Sequence, residues 1–373
     1  MHETDDYLIF GPDDVDLARS PLRGSIDAST FVLGAFNPAL TRLPTGNLLL
    51  MVRIAEALSQ PVEDDYVRAI RWTPDGYVVD PHRLDRVDLA DPRFFSIRGS
   101  TYLQTGLTSL SWLLPVELTP DGRAIVAVHY DRAIEPRASY QDYGIEDPRI
   151  SLIEGRYYMT ACCCSAERHG TALYTSDDGI DWTLHGLVLD HQNKDMLLFE
   201  GLVGSKFWAL TRPLGELYFA YPETADYAGG PAIQFASSPD ALHWKPCDRP
   251  GLRARRGSNS AMKVGGGTPP ILTDAGWLML YHGVEPRAKV GVYRTFWALL
   301  DRDDPSRLLR IEDGTALIEA NAELTQAIAD RLYLPTPVVF TTGIVAADET
   351  YIVASGEADL ACRITHIATS RFA

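Results

Sequence analysis

The residues with the clearest potential for chemistry lie in one segment, Tyr143-Gly144-Ile145-Glu146-Asp147-Pro148-Arg149-Ile150. Two carboxylates, a proline and a guanidinium occupy consecutive positions directly before an apolar, strand-like run. Proline fixes its own φ and biases Asp147 toward an extended backbone, which gives the carboxylate a defined direction. We expect such a residue where a catalytic carboxylate must be held still. The alternative is a surface turn in which Asp147 and Arg149 form an ion pair.

The composition is that of a globular protein with an excess of acidic residues. The 373 residues are 46% hydrophobic and 23% charged, and 34 basic against 50 acidic residues give a net charge of −16. This charge argues against nucleic acid or an anionic membrane as a partner. Residues 1–6 are followed by no apolar stretch, and no run is long enough to span a membrane. We therefore expect no signal peptide, no membrane helix and a cytoplasmic location.

The five cysteines include three consecutive ones, Cys162, Cys163 and Cys164. Neighbouring residues of a strand point to opposite faces, so these three are expected neither to pair nor to converge on one metal as a C-x-x-C motif would. The sequence thus predicts reduced, partly buried thiols and no metal site.

Short apolar runs preceded by turn residues recur along the whole chain, whereas helical periodicity is rare. The clearest runs cover residues 48–52, 124–128, 157–160, 207–210 and 277–281. Each is typical of a strand that follows a hairpin turn, so the fold is predicted to be all-β. One short accessory helix is predicted over residues 321–332, because Leu324, Ile328 and Leu332 are spaced four apart.

A turn motif of Ser or Thr, Asp and a small residue repeats along the chain. It occurs at residues 72–76, 176–182 and 237–244, and Trp follows it in the last two. Repetition at about 60 residues is typical of propeller blades. We therefore predict that residues 1–373 form a single five-bladed β-propeller domain. Chain length alone would favour two domains, and a pair of two-sheet sandwiches is the competing architecture.

Polar residues at the ends of other predicted strands are further candidates for a site. In a propeller the inner strands bring such residues to one axial funnel, even when they are remote in sequence. Taken singly, each has a structural alternative: Lys194 and Arg212 as solvated strand ends, and His282 as a core histidine. The candidates are Asn37, Arg53, Lys194, Asp195, Arg212, His282, Asp359 and the segment 263–270.

Taken in order, these motifs resemble those of glycoside hydrolase family 130, the β-mannoside phosphorylases and related β-mannosidases. The resemblance runs from about Asn37 to about Asp359, and its most specific pieces are residues 146–149 and 277–284. It implies a five-bladed β-propeller. The matching motifs are Asn-Pro at 37, Gly-x-Glu-Asp-Pro-Arg at 144, Lys-Asp at 194, Arg-Pro at 212, Gly-Gly-x-Pro-Pro at 266, Gly-Trp-Leu-x-x-Tyr-His-Gly-Val at 276 and Ala-Leu-Leu-Asp-x-x-Asp-Pro-Ser at 298.

The resemblance also implies an activity. Family members cleave a β-mannosidic bond at the non-reducing end of a manno-oligosaccharide with inversion; in the phosphorylases, inorganic phosphate is the co-substrate and mannose 1-phosphate the product. Asp147 matches the general acid, which is proposed to pass its proton through the 3-hydroxyl of the mannosyl residue. Neither cofactor nor metal is expected. The matching phosphate or water site is Arg168, Lys194, Thr211 and Arg212, and the substrate-binding candidates are Asn37, Arg53, Glu146, Arg149, Asp195, His282 and Asp359.

Departures from the family pattern keep a second activity open. Thr211 stands where the phosphorylases carry a phosphate-contacting histidine, and loss of phosphate donors separates the hydrolases of the family from its phosphorylases. An inverting β-mannosidase that uses water is therefore the alternative, with Glu200, Glu216 and Glu285 as candidate bases. A non-catalytic sugar-binding propeller is the third hypothesis. The linkage, β-1,2 or β-1,4, stays open, as does the oligomeric state, including a homo-oligomer.

Overall fold

A computed structural model describes residues 5–215 and 217–372, and it has the predicted all-β character. The first strands are β1 (Asp5–Phe10), β2 (Thr30–Arg42), β3 (Leu48–Leu58), β4 (Val62–Glu63), β5 (Tyr66–Thr73), β6 (Gly76–Arg83), β7 (Val87–Asp91), β8 (Phe94–Ile97), β9 (Thr105–Gly106), β10 (Ser109–Leu118), β11 (Ile125–Val128), β12 (Ile145–Ile153), β13 (Arg156–Cys164) and β14 (His169–Ser176). The remaining strands are β15 (Thr183–Leu189), β16 (Asn193–Leu198), β17 (Phe207–Pro213), β18 (Gln234–Ser238), β19 (Lys245–Pro246), β20 (Lys263–Gly266), β21 (Ile271–Thr273), β22 (Gly276–Glu285), β23 (Val292–Leu300), β24 (Leu308–Glu312), β25 (Val339–Ala347), β26 (Thr350–Glu357) and β27 (Ala361–Ala368).

Five antiparallel sheets follow one another along the described chain. Their strand orders are β11-β10-β3-β2, β12-β13-β14-β15, β16-β17-β18-β19, β20-β22-β23-β24 with β21 beside β22, and β1-β27-β26-β25. The last sheet thus joins the first strand of the described chain to the last one. Strands β4 to β6 and β7 to β9 form two smaller three-stranded sheets between β3 and β10.

Each large sheet shares an apolar cluster with the next. Along β3, Leu48 and Leu50 pack toward the last sheet while Leu49 and Met51 pack toward the second. Similar clusters join the second sheet to the third, the third to the fourth, and the fourth to the last. Because successive side chains of a strand point to opposite faces, strands buried on both faces become continuous apolar runs. This accounts for the runs from which the sequence predicted strands.

The first strands of the sheets lie side by side. Strand β2 packs against both β12 and β25, and β16 packs against both β12 and β20. Residues carried on these strands are therefore brought together although they are far apart in the sequence.

The repeated turns have the predicted structure in two of three cases. Asp178 Oδ1 accepts hydrogen bonds from the backbone nitrogens of Ile180 and Asp181, both at 2.8 Å. Asp240 Oδ1 likewise accepts hydrogen bonds from the backbone nitrogens of residues 242 and 243. Both turns connect the third and fourth strands of a large sheet, so they occupy equivalent positions in two sheets. The turn at residues 72–76 instead joins β5 to β6 in a small sheet, so it is not part of this repeat.

The predicted helix over residues 321–332 is broken. Only α1 (Ala322–Thr325) is α-helical, and the residues from Gln326 to Arg331 form a 3₁₀ segment with non-helical dihedrals at Ile328. Asn321 caps α1 by accepting a hydrogen bond from the backbone nitrogen of Glu323 at 2.9 Å. The last residue of the predicted apolar stripe, Leu332, is 44% exposed, so little burial stabilises a continuous helix. No helix within residues 5–215 and 217–372 is long and apolar enough to cross a membrane.

Candidate active site

Four of the predicted site residues, Asn37, Asp147, Asp195 and Asp359, occupy the same unusual backbone conformation. Asn37, Asp147 and Asp195 have φ values of 48°, 47° and 54°, and each lies at a register shift in the first strand of its sheet. Asn and Asp tolerate this left-handed region better than most residues do. The expectation that Pro148 holds Asp147 extended is therefore wrong. The β-bulge overrides the local bias of the proline and re-aims the side chain.

Arg53 joins the two acidic residues of the central segment. Its guanidinium donates to Asp147 Oδ1 at 3.0 Å and to Glu146 Oε1 at 2.8 Å, and its Nε donates to Ser111 Oγ at 3.0 Å. The same guanidinium lies over the Phe36 ring, 4.9 Å from the ring centre. The arginine is thereby held in one orientation, and it fixes both carboxylates in turn.

Asn37 provides a second constraint on Asp147. Its Nδ2 donates to Asp147 Oδ1 at 2.9 Å. The asparagine fits because residue 356 is glycine: a Cβ there would lie 2.0 Å from Asn37 Oδ1. The first strands of two sheets and a strand of the last sheet therefore cooperate to hold one carboxylate.

A second, more deeply buried cluster surrounds Asp195. Arg212 lies 3.0 Å from Asp195 Oδ2, His282 Nε2 is 3.7 Å from that oxygen, and Arg149 is 3.8 Å from Asp195 Oδ1. Arg149 also donates to the Gly267 carbonyl at 2.7 Å. Burial, followed by the charge of Arg212, holds the pKa of His282 well below its ordinary value, so this imidazole is neutral.

Cationic groups lie beside these clusters. Lys194 Nζ donates to Glu146 Oε2 at 3.0 Å, and its charge, followed by burial, lowers the pKa of His169 to about 4. Lys263 lies with its ammonium 5.1 Å from the centre of the Tyr293 ring, and burial lowers its pKa. No carboxylate of residues 5–215 and 217–372 forms an ion pair with Lys263, and the charge of Asp195 acts on this ammonium without a direct contact.

The site's carboxyl groups differ in their pKa values. Burial raises the pKa of both Asp147 and Asp359, whereas Arg53 lowers it. The arginine prevails at Asp147, whose pKa lies below its ordinary value. Burial prevails at Asp359, whose pKa is raised to about 6. Asp147 is thus ionised in the empty site, while Asp359 exchanges its proton near neutral pH.

The predicted bases are not brought into these clusters. Glu200 lies just beyond the C-terminal end of β16, whereas Lys194 lies near the N-terminal end of that strand. Burial raises the pKa of Glu200 to about 7, and its carboxylate accepts a hydrogen bond from the Leu152 backbone. Glu285 accepts from Arg294 at 2.7 Å. Glu216 lies outside the described residues.

Three of the predicted phosphate-site residues lie together on neighbouring strands, whereas the fourth, Arg168, lies in a turn. Lys194 and Arg212 face each other across β16 and β17, and Thr211 is buried beside Arg212. Arg168 lies in the turn between β13 and β14, where its backbone pairs with Ser165. No side-chain bond links Arg168 to the clusters among the residues that the structure describes.

Two residues of the site, Arg93 and Tyr333, were not identified from the sequence. Lys263 belongs to the candidate segment 263–270, but the sequence assigned it no role of its own. Arg93 lowers the pKa of Asp359 and is itself ion-paired to Asp91 at 2.8 Å, while burial and then the charge of Asp359 raise the pKa of Tyr333. The turn between β7 and β8 and the segment after α1 supply them. Neither carries a motif, so only the fold could reveal that they converge.

Comparison with known proteins identifies the class as an enzyme of the glycoside phosphorylase and glycosidase type. The family model described as beta-1,4-mannooligosaccharide phosphorylase matches residues 116–371. The beta-1,2-mannobiose phosphorylase of Listeria innocua is 31% identical over 338 residues, which cover 88% of this chain and 87% of the relative. A 1,2-beta-oligomannan phosphorylase of a Thermoanaerobacter species is 33% identical over 219 residues, 58% of this chain and 65% of the relative. The chain belongs to glycoside hydrolase family 130.

Solved structures agree with this assignment. The beta-1,2-mannobiose phosphorylase of Listeria innocua, in complex with beta-1,2-mannobiose, superposes with a TM-score of 0.79 at 27% identity and 98% coverage of both chains. A glycosidase-like protein of Bacteroides thetaiotaomicron shares the fold at 17% identity, with a TM-score of 0.63 and coverage of 96% and 97%. The predicted family resemblance is confirmed.

Proposed function

We propose that this enzyme cleaves the non-reducing-end β-mannosidic bond of β-1,2-linked manno-oligosaccharides by inverting phosphorolysis. A phosphate oxygen bonds to the anomeric carbon while the bond to the glycosidic oxygen breaks, which releases α-mannose 1-phosphate and a shortened saccharide. The support for the linkage is the name of the Listeria innocua relative, which matches most of this chain. The β-1,4 linkage, named by the family model, is the competing choice.

The observation that carries phosphorolysis is the unbalanced positive charge beside the carboxylates. Lys263 forms no ion pair with a carboxylate among the described residues. Burial and then repulsion by Arg212 lower its pKa, against the opposing effects of Tyr293 and Asp195. Lys194 bonds Glu146 and lies on β16, which packs against the strand β20 that carries Lys263. Charge-assisted hydrogen bonds from such groups suit a phosphate dianion. Lys263 offers the cationic group that Thr211, in place of histidine, cannot provide.

Asp147 is the proposed general acid. Asn37 and Arg53 both donate to its Oδ1, whereas no hydrogen bond of the described residues engages its Oδ2. One oxygen is thus anchored and the other can face the 3-hydroxyl of the mannosyl residue. The anchored carboxyl must be protonated before it can act. A bound phosphate dianion and the exclusion of water both favour that protonation, because each disfavours a further negative charge.

The proposed architecture is a single five-bladed β-propeller over residues 1–373. Five consecutive antiparallel sheets, the apolar clusters between neighbours and the pairing of β1 with β27 all support it. The site would then lie at the axis, where the first strands of the sheets meet.

Hydrolysis by water is the second candidate because Thr211 replaces the phosphate-contacting histidine. An inverting hydrolase needs a base that activates water. Neither Glu200 nor Glu285 lies beside Asp147 in the described structure, since the first bonds Leu152 and the second bonds Arg294. Glu216, the third candidate base, lies outside the described residues, so the choice rests on the cationic groups beside Asp147.

The decisive experiment is to incubate the enzyme with β-1,2- or β-1,4-mannobiose, with and without inorganic phosphate, and to follow the products by NMR. We expect α-mannose 1-phosphate from the β-1,2 substrate only when phosphate is present. Free mannose as the only product under both conditions would assign the enzyme to the hydrolases. Binding without turnover would instead support a sugar-binding propeller.

A further inference from the structure

Two buried thiols and a carboxylate converge next to the proposed phosphate site. Cys162 and Cys164 lie two residues apart on β13. Glu146 lies on the neighbouring strand β12 and is directly opposite Cys162. One ligand atom from each residue lies within 4.8 Å of the other two. The three residues are between 4% and 6% exposed.

The sequence prediction overlooked this convergence because it considered neighbouring cysteines only. Residues i and i+2 of a strand share a face, so Cys162 and Cys164 point the same way. Cys163 points to the other side, where its sulfur accepts a weak hydrogen bond from Gln141 at 3.5 Å. The third donor comes from another strand, which spacing along one strand cannot reveal.

Strand geometry favours a bridging ion over a disulfide for this pair. Residues i and i+2 of an extended strand have Cα atoms about 6.6 Å apart, close to the upper limit for an unstrained disulfide. A thiophilic ion bonds each sulfur at about 2.3 Å and so spans the gap without backbone movement. Carboxylate oxygen is also an accepted ligand of such ions.

We propose that Cys162, Cys164 and Glu146 form a site for a thiophilic divalent cation such as Zn²⁺ or Cd²⁺. Binding deprotonates both thiols, so two S–H bonds are replaced by two sulfur–metal bonds and two protons are released. The two thiolates, one carboxylate and the cation carry a net charge of −1. Lys194 and Arg53, which already contact Glu146, lie in position to balance that charge. Three protein ligands leave one position for water or phosphate.

Occupation of the site inhibits the enzyme. Glu146 Oε2 accepts a hydrogen bond from Lys194 Nζ at 3.0 Å in the metal-free site, and a cation bound to Glu146 competes with the ammonium for that oxygen. If Lys194 holds phosphate, as the proposed function requires, the ion raises the KM for phosphate. This consequence rests on the proposed function, whereas the metal site itself does not.

Cadmium titration tests the site independently of activity. We expect a thiolate-to-metal charge-transfer band that saturates at one Cd²⁺ per chain, with proton release measurable by calorimetry in two buffers. Cys162→Ser and Cys164→Ser should each weaken Cd²⁺ binding by at least about a hundredfold, more than loss of an outer-shell group usually costs. Cys163→Ser is the matched control, because this buried thiol faces away, and it should bind as the parent enzyme does.

Two results would overturn the site. One is the absence of a charge-transfer band in the parent enzyme. The other is equal loss of binding in the Cys163→Ser control. Because the serine variants could fail to fold, ¹¹³Cd NMR on the parent enzyme provides a second measurement, and a chemical shift that reports fewer than two sulfur ligands also refutes the site. Metal binding without any change in phosphate KM would leave the site intact and count against the role of Lys194.

Discussion

The guanidinium of Arg53 donates to Asp147 Oδ1 at 3.0 Å and lowers the pKa of that carboxyl against the opposing effect of burial. The residue that positions the proposed acid therefore also keeps it ionised in the empty site. Positioning and acidity are coupled through one side chain, and removal of Arg53 must change both.

Asp147→Asn tests the acid itself. We expect turnover of mannobiose with phosphate to fall by at least about a hundredfold, because the amide cannot supply the proton. Steady-state kinetics measure the loss, and thermal unfolding verifies that the variant is folded. Asp177→Asn is the control, since Asp177 is 90% exposed and should retain full activity. Near-normal turnover in Asp147→Asn would remove Asp147 from the role.

Arg53→Gln tests the coupling between position and acidity. Arg53 favours the charged form of Asp147, so its removal raises the pKa of that carboxyl and increases the protonated fraction at a given pH. The alkaline limb of the pH–rate profile should move to higher pH. The maximal rate should fall, because Asp147 and Glu146 lose a shared donor.

The control for this pH profile is Arg83→Gln. Arg83 forms an exposed ion pair with Asp85 at 3.0 Å, outside the site. Its profile should match that of the parent enzyme. An alkaline limb that stays in place in Arg53→Gln would show that Asp147 does not control it.

Lys263→Met tests the proposed phosphate site. Loss of one hydrogen bond to a charged group costs about 1.5–3 kcal/mol, so the KM for phosphate should rise about tenfold to a hundredfold. The KM for mannobiose should change little. Lys245→Met, at a lysine that is 77% exposed, is the matched control. Equal effects on both substrates would mean that Lys263 supports the pocket rather than phosphate.

The sequence allowed much of the fold and site to be predicted because both depend on local signals. Turns followed by apolar runs marked the strands, and the Glu-Asp-Pro-Arg motif marked the carboxylate that Arg53 and Asn37 hold. The left-handed conformation of Asp147 was missed, because a β-bulge is set by pairing with the neighbouring strand. Arg93 and Tyr333 were missed because packing alone brings them to the site, and Lys263 was named only as part of the segment 263–270. The helix was overestimated because its periodic residues find little to pack against.

Gly356→Ala tests whether the close packing of Asn37 against Gly356 positions the asparagine side chain. The added Cβ would lie 2.0 Å from Asn37 Oδ1, so the asparagine must move and lose its bond to Asp147. A displacement of about 1 Å near reacting groups can cost about a hundredfold in rate, so a large fall in turnover is expected. Gly314→Ala is the control, since a Cβ there meets nothing within 4 Å. Equal activities of the two variants would contradict the role of Asn37.

Asp359→Asn tests whether the site is maintained at a cost in stability. Burial raises the folded-state pKa of Asp359 to about 6, above the value of about 3.9 expected in an unfolded chain. The folded protein thus holds this proton more tightly. The associated stabilisation is complete below about pH 4 and is lost as the pH rises through about 6.

Asparagine cannot ionise, so it avoids the free-energy cost of a buried carboxylate above about pH 6. Asp359→Asn should therefore unfold at a higher temperature than the parent enzyme at pH 8, with the difference shrinking toward pH 4. Thermal unfolding across this pH range measures the effect, and Asp177→Asn, which changes an exposed carboxylate, should show no such trend. Activity should fall at every pH, because Asp359 is a proposed substrate-binding residue. A stability difference independent of pH would mean that Asp359 is not the group whose ionisation opposes folding.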